Sequence, residues 1–301
     1  MQNISLADFL EYRFLSKLQL SPDGTKAAFV VSRQNKRENN YAADIYLAHC
    51  AAHSIKQLTH TGKEHDFVWD GADTLLFPSC RCKEDEAPRF YQKTVFYRLS
   101  LSGGEAYRAF EVPYDVKEIC PCGDGVHYAM AVRIDHTRPD PRTHTMEECE
   151  DAEDYILLEE MPFATNGEGY TSRVRMTLAL YNAETDETKL LTPPMFMLGA
   201  FRWAGKQLVY TGHSYTTVKA KTKGMYAYSL ATGETRTLVE DGALAIYHIG
   251  EEEGTVLFTA SDLKQYGSAS GQDFYKLSLA SGGCEKLLAH GLVPGTSPIT
   301  D

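Results

Sequence analysis

Seven cysteines and ten histidines are the side chains best suited to hold a metal or to act as nucleophile and base, so their spacing is the first thing to weigh. Cys80/Cys82 and Cys120/Cys122 have Cys-x-Cys spacing, which on a strand turns both sulfurs to one face. Four thiolates can bind zinc, but structural zinc sites favour Cys-x2-Cys knuckles in tight turns, and Cys is also a small core hydrophobe. The expectation is no metal and no cofactor. The odd cysteine count fits reduced thiols better than a disulfide framework. His49 and His53 are four apart but fall in a hairpin connection, not on a helix where that spacing would aim both rings at one metal. His127, His213 and His248 lie in or beside expected strands and read as core or rim imidazoles. Carboxylates offer a third chemistry: Asp66, Asp115 and Glu118 could flank a sugar as acid and base if inner strands brought them together.

What must position such groups is a repeat of about 50 residues. A short apolar strand ends in Asp-Gly or a similar turn, a second strand follows, then an aromatic-rich third, a Thr-Gly-Glu-like turn and a closing fourth. The first unit runs through Leu18–Leu20, Ser21-Pro22-Asp23-Gly24, Ala27–Val31, Asp44–Leu47 and Ile55–Thr59. The second has Trp69, Leu75–Phe77, Val95–Leu99, Gly103-Gly104 and Ala106–Phe110. The third begins near Val116 and resumes at Leu178 after an insertion, 133–175; the fourth spans Gly199–Val239 and the fifth Ala245–Leu288. Asp-Gly and Gly-Gly supply the positive φ of tight hairpins, and no period-3.6 segment separates the strands. The reading is an all-β chain, a β-propeller of four-stranded antiparallel blades over residues 1–301. About five blades are present, an incomplete part of a larger ring of about seven. Trp69 and Trp203 hold equivalent places and are expected to anchor blade packing.

Two segments depart from the repeat. Met1–Lys17, with Leu6, Phe9, Leu10 and Phe14 at near-helical spacing, reads as a short amphipathic helix on the rim. The first part of the insertion, Asp135–Asp154, is acid-, Pro- and Thr-rich and reads as a solvated loop. The tail Gly291–Asp301 is not expected to complete a sixth repeat. A formal net charge of -11 opposes binding to a phosphate backbone, so nucleic acid is not an expected partner. No uninterrupted apolar h-region opens the chain and no later run reaches the roughly 20 apolar residues that span a bilayer. The expected location is cytoplasmic, without a membrane partner.

The opening Ile4-Ser5-Leu6-Ala7-Asp8, with Leu18–Gly24 and Ala28–Ser32, resembles the start of the propeller in bacterial acylaminoacyl and dipeptidyl peptidases of the prolyl oligopeptidase family. Glu159-Glu160-Met161-Pro162-Phe163, Asn166–Tyr170 and Leu178–Thr192 are similar to the segment that there crosses from an insertion into the next blade strand. The resemblance covers about residues 4–290. It implies a propeller capping an α/β-hydrolase domain with a Ser-Asp-His triad, cleaving short peptides by acylaminoacyl or dipeptidyl release.

This chain carries no Gly-x-Ser-x-Gly elbow; Gly212-His213-Ser214 and Gly295-Thr296-Ser297 each lack the second glycine. No catalytic residue is therefore assigned. The expected role is substrate gating for a C-terminal hydrolase domain of the parent chain, with peptide as substrate. By similarity to acidic pairs in dipeptidyl peptidases of the family, Glu159 and Glu160 are the candidates for holding the substrate amine, since a desolvated ammonium needs a charge partner. A five-bladed glycoside hydrolase and a non-enzymatic interaction propeller are the alternatives.

Overall fold

A computed structural model describes residues 5–252 and 254–288; the expected features at Ile4 and in the tail Gly291–Asp301 lie outside the described residues. Each repeat forms a four-stranded antiparallel meander in sequence order. The first is β1 (Arg13–Leu20), β2 (Lys26–Asn35), β3 (Asn40–His49) and β4 (Ser54–Gln57); the second is β5 (Val68–Trp69), β6 (Thr74–Pro78), β7 (Thr94–Ser100) and β8 (Tyr107–Val112). The third is β9 (Asp115–Pro121), β10 (His127–Asp135), β13 (Val174–Asn182) and β14 (Glu187–Leu190), with a helix α1 (Met146–Asp151) and a small hairpin, β11 (Ala164–Thr165) and β12 (Gly169–Tyr170), inside its insertion. The fourth is β15 (Phe196–Ala204), β16 (Gln207–Ser214), β17 (Gly224–Ser229) and β18 (Thr235–Val239). The fifth is β19 (Ala245–Glu252), β20 (Thr255–Ser261), β21 (Asp273–Ser278) and β22 (Cys284–Leu288). These are the blades of a β-propeller.

The blades fall into two compact units, the first running to Val116 and the second comprising Lys117–Asn182 and the chain from Glu187 on, with the short turn Ala183–Asp186 grouped with the first. In each, consecutive blades pack face to face through the side chains of their second and third strands. Ala28, Val30, Ile45 and Leu47 of the first blade meet Leu75, Phe77, Val95 and Tyr97 of the second. In the second unit, Ala129, Leu178 and Leu180 meet Phe201, Leu208 and Tyr210, and Val209 and Met225 meet Val256, Phe258 and Leu277. Middle strands are buried on both faces, which is why β10 reads Tyr-Ala-Met-Ala-Val, whereas fourth strands such as β4 are mostly exposed and polar. Trp69 and Trp203 do sit at the same register, opposite Leu75 and Leu208, packed against these layers.

Three expectations change. The amphipathic helix shrinks to a 3-10 turn, Leu6–Glu11, capped by Ser5 and Asp8; Tyr12 is already extended and Phe14 lies in β1. Six residues cannot recover the cost of helix nucleation, while pairing with β2 gives the following backbone its hydrogen bonds. The loop Asp135–Asp154 contains α1, whose Thr145 accepts from the Glu148 N–H while Glu148 accepts from the Thr145 N–H. Cys80 and Cys82 follow the end of β6 and are not on a strand.

Gly212 lies within β16, in extended backbone with no sharp turn, and a Cβ there would sit 2.3 Å from Cε1 of Phe196 and 2.5 Å from the Met197 carbonyl oxygen. Because a backbone atom is in the way, Gly212→Ala is expected to cost about 3 kcal/mol, seen as a fall of several degrees in Tm. An unchanged Tm would show that the strand pair can spread.

Candidate functional site

In the third blade, the connection from β10 to β13 carries Glu159 and Glu160, and its placement is set by an arginine that enters β13. Arg175 is fully buried. Its Nη1 and Nη2 grip both oxygens of Glu160, at 3.0 and 2.5 Å, its Nε donates to the Met195 carbonyl at 3.2 Å, and Nη2 also donates to the Tyr215 carbonyl at 2.9 Å. The guanidinium lies 3.9 Å from the centre of the Tyr215 ring. One side chain thus fastens the insertion, the entry to β15 and the exit of β16. Only arginine has donors enough in a planar fork to do so.

Glu160 is 3% exposed, and its Oε2 also accepts the Arg173 N–H at 2.8 Å. Burial alone would raise its pKa, but the bonds from Arg175 and the Arg173 N–H, with both guanidinium charges, outweigh it and hold the carboxyl below the usual range. Direct contact with a substrate would require displacing Arg175. Glu159 is placed differently: it is exposed, its N–H donates to Ser172 Oγ at 3.0 Å, and its Oε2 accepts from Arg173 Nη1 at 2.7 Å. The adjacent carboxylates expected to act alike are one buried anchor and one surface acid. A parallel bridge ties the segment to the loop after β16, with the Met161 N–H donating to Thr217 O at 2.7 Å and the Lys219 N–H to Met161 O at 3.1 Å.

Around this junction lie two imidazoles with unpartnered ring nitrogens. His213 is 1% exposed and neither ring nitrogen has a partner; burial lowers its pKa, with Lys219, Lys223 and Arg175 acting in the same sense against Asp241. His136 Nε2 is also unpartnered, and burial beside Arg175 and Arg173 lowers its pKa. Neither His213 nor His136 Nε2 bonds a hydroxyl, so these nitrogens do not activate one as a nucleophile. Arg173, Arg175 and Tyr215 escaped the sequence reading. The signal was Arg-Val-Arg at the mouth of an otherwise apolar strand, since an arginine on an inward face demands a nearby acid.

The other candidates are separately engaged. Asp66 pairs with Lys17 at 2.8 Å and Glu118 with Arg202 at 2.9 Å, both at least partly exposed. All seven cysteines are free thiols, and burial pushes the Cys122 thiol up to about 12, the behaviour of a core residue. Among the described residues no group of three His, Cys, Asp or Glu is placed to share a metal, and no helix is long and apolar enough to cross a membrane.

The fold and site define a β-propeller with a pinned insertion in its third blade. No family model matches the chain. It is 29% identical over 201 residues to the uncharacterized peptidase YuxL of Bacillus subtilis, covering 65% of this chain and 29% of that protein. The uncomplexed acylaminoacyl peptidase of Pyrococcus horikoshii superposes with a TM-score of 0.68 at 16% identity, over 92% of this chain and 40% of that one. The β-propeller domain of the Trilobed protease from Pyrococcus furiosus gives 0.58 at 11% identity, over 93% and 72%. These neighbours bear out the resemblance to a peptidase propeller at the level of fold, and the chain spans well under half the length of the first two.

Proposed function

We propose that the chain is the substrate-gating propeller of a serine-type peptidase whose chemistry resides in an α/β-hydrolase domain, and that it admits short peptides in the cytoplasm. Acylaminoacyl and dipeptidyl release are the two reactions such a propeller serves. The observation that supports this reading is the division of labour at the insertion. Glu160 is locked to Arg175, which holds the segment, while Glu159 stays at the surface with Arg173 on only one of its oxygens. A carboxylate so held can accept the α-ammonium of a peptide, and Glu160 acts as a positioning residue for it.

The test compares a dipeptidyl anilide with its N-acetylated form, assayed on the chain joined to its hydrolase domain. Glu159→Gln is expected to raise KM about tenfold for the free amine and to leave the acetylated substrate unchanged. Equal effects on both would sink the amine-binding role and favour acylated substrates. The 301-residue chain alone should hydrolyse neither anilide and resist fluorophosphonate labelling; a specifically labelled serine would overturn the gating assignment.

A further inference from the structure

Between the helix α1 and the anchor Glu160, the insertion of the third blade holds four consecutive apolar residues that the fold leaves outside its core. Tyr155, Ile156, Leu157 and Leu158 are 45–62% exposed, and the stretch contains neither turn nor bend. A single exposed leucine is ordinary, but four adjacent apolar side chains form a patch.

The main chain of these residues is equally unclaimed. Among the described residues, none of their N–H or carbonyl groups takes part in a hydrogen bond. Unpaired N–H and C=O groups along a straight stretch make the same template as an open sheet edge, to which another strand can add. In such a pairing alternate side chains face opposite ways, so apolar surface is offered on both sides of the new strand.

The stretch is fastened at both ends, so little conformational freedom is lost when a partner adds. Before it, the Ala152 carbonyl accepts from Arg138 Nη1, and Cys149 of α1 is buried. After it, the Glu159 N–H donates to Ser172 Oγ, Glu160 is gripped by Arg175, and the Met161 N–H donates to Thr217 O. Met161 and Val218, paired across that parallel bridge, are exposed too and carry the apolar surface past the anchor.

Charge selects the partner. Asp151, Glu153 and Asp154 precede the stretch and Glu159 follows it, while no Lys or Arg occurs from Thr143 to Ser172. A second copy would bring the same acids against themselves: antiparallel pairing centred between Ile156 and Leu157 sets Asp154 opposite Glu159, and like charges placed so are destabilising. An anionic lipid surface is repelled for the same reason. A chain that sets Lys or Arg beside its apolar residues meets both the patch and its acidic border.

We infer that Tyr155–Leu158 is a docking strand for an extended segment of another protein in which apolar residues alternate with Lys or Arg. Main-chain bonds fix the register, apolar side chains supply the affinity, and the bordering carboxylates choose a basic partner over an acidic one. The inference stands on this surface alone and does not require the gating function to be correct.

Fluorescence anisotropy of labelled peptides titrated with the 301-residue chain, at an ionic strength of about 0.15 M, tests it. Acetyl-Lys-Val-Lys-Val-Lys-Val-Lys-amide is expected to bind. Replacing its lysines by Glu, replacing its valines by Ser, or N-methylating it throughout should each weaken binding about tenfold or more. The fourfold variant Tyr155→Ser/Ile156→Ser/Leu157→Ser/Leu158→Ser should lose binding to the same extent while keeping the parent Tm, because none of the four side chains is in the core. If that variant melts early, Asp154→Lys, at an exposed position, decides the matter by narrowing the preference for the Lys peptide over the Glu peptide. No binding of the Lys-Val peptide, equal affinity for the Lys and Glu peptides, undiminished binding to the N-methylated form, or full binding by a folded fourfold variant would each overturn the assignment. So would a dimer in sedimentation, or attachment to phosphatidylserine vesicles, that the fourfold substitution abolishes.

Discussion

Arg175→Met is expected to destabilise the second unit by about 3–5 kcal/mol, the penalty for leaving a buried carboxylate without its partner. The variant strands Glu160 and also abandons the carbonyls of Met195 and Tyr215, so Arg175→Lys, with one ammonium in place of a planar fork, should recover only a minor part. A Glu160→Met/Arg175→Met pair should regain most of the loss, because a well-packed apolar pair dispenses with the desolvation of both charges.

The pH dependence has a defined sign. Glu160 is held below its ordinary pKa in the folded state, so its contribution is complete above the unfolded value, about 4.3, and fades as pH falls through the folded pKa below it. The gap between the parent chain and Arg175→Met should therefore be full at pH 7, be smaller at pH 4 and close as pH falls further through the folded value. Thermal melts at both pH values measure it, with a shift of roughly 10 °C at neutral pH. A neutral-pH shift of a degree or two, or a gap that widens in acid, would refute the buried pair.

The blade framework was legible because its signals are local. The turns after the third strands of the fourth and fifth blades bring Gly233 and Gly282 to φ of +71° and +72°, each N–H closing on a serine carbonyl four residues back, at 2.8 and 2.9 Å. Such turns need a residue without a Cβ, and the sequence writes Thr-Gly-Glu and Ser-Gly-Gly there. The site was only half legible. Resemblance singled out Glu159 and Glu160, but nothing local distinguishes the surface acid from the anchor, since that depends on Arg175 fifteen residues later, across an irregular segment. The helix α1 was missed although Thr145 and Glu148 have capping-box spacing, because the acid-rich composition outweighed one short motif.

Phe201→Ala should cost about 3–5 kcal/mol, comparable to the loss of Arg175 but by a different mechanism. Phe201 is fully buried between the third and fourth blades, where β15 shifts register between Leu198 and Phe201, and its ring meets a layer built from Ala129, Leu178, Leu180 and Leu208. The small alanines of β10 leave a space that an aromatic ring must fill, and truncation opens a void that strands on both sides are too regular to close. Trp203, two residues on and partly exposed, should cost distinctly less when changed to Ala, because part of its surface already faces solvent. Urea unfolding of the two variants gives the comparison. The consequence reaches the site, since the third blade carries the insertion and the fourth carries Tyr215, to which Arg175 is bound. Loosening the layer should therefore weaken the Arg175 clamp, and Phe201→Ala combined with Arg175→Met should lose less than the sum of the two singles. Strict additivity would show that the blade interface and the insertion are anchored independently.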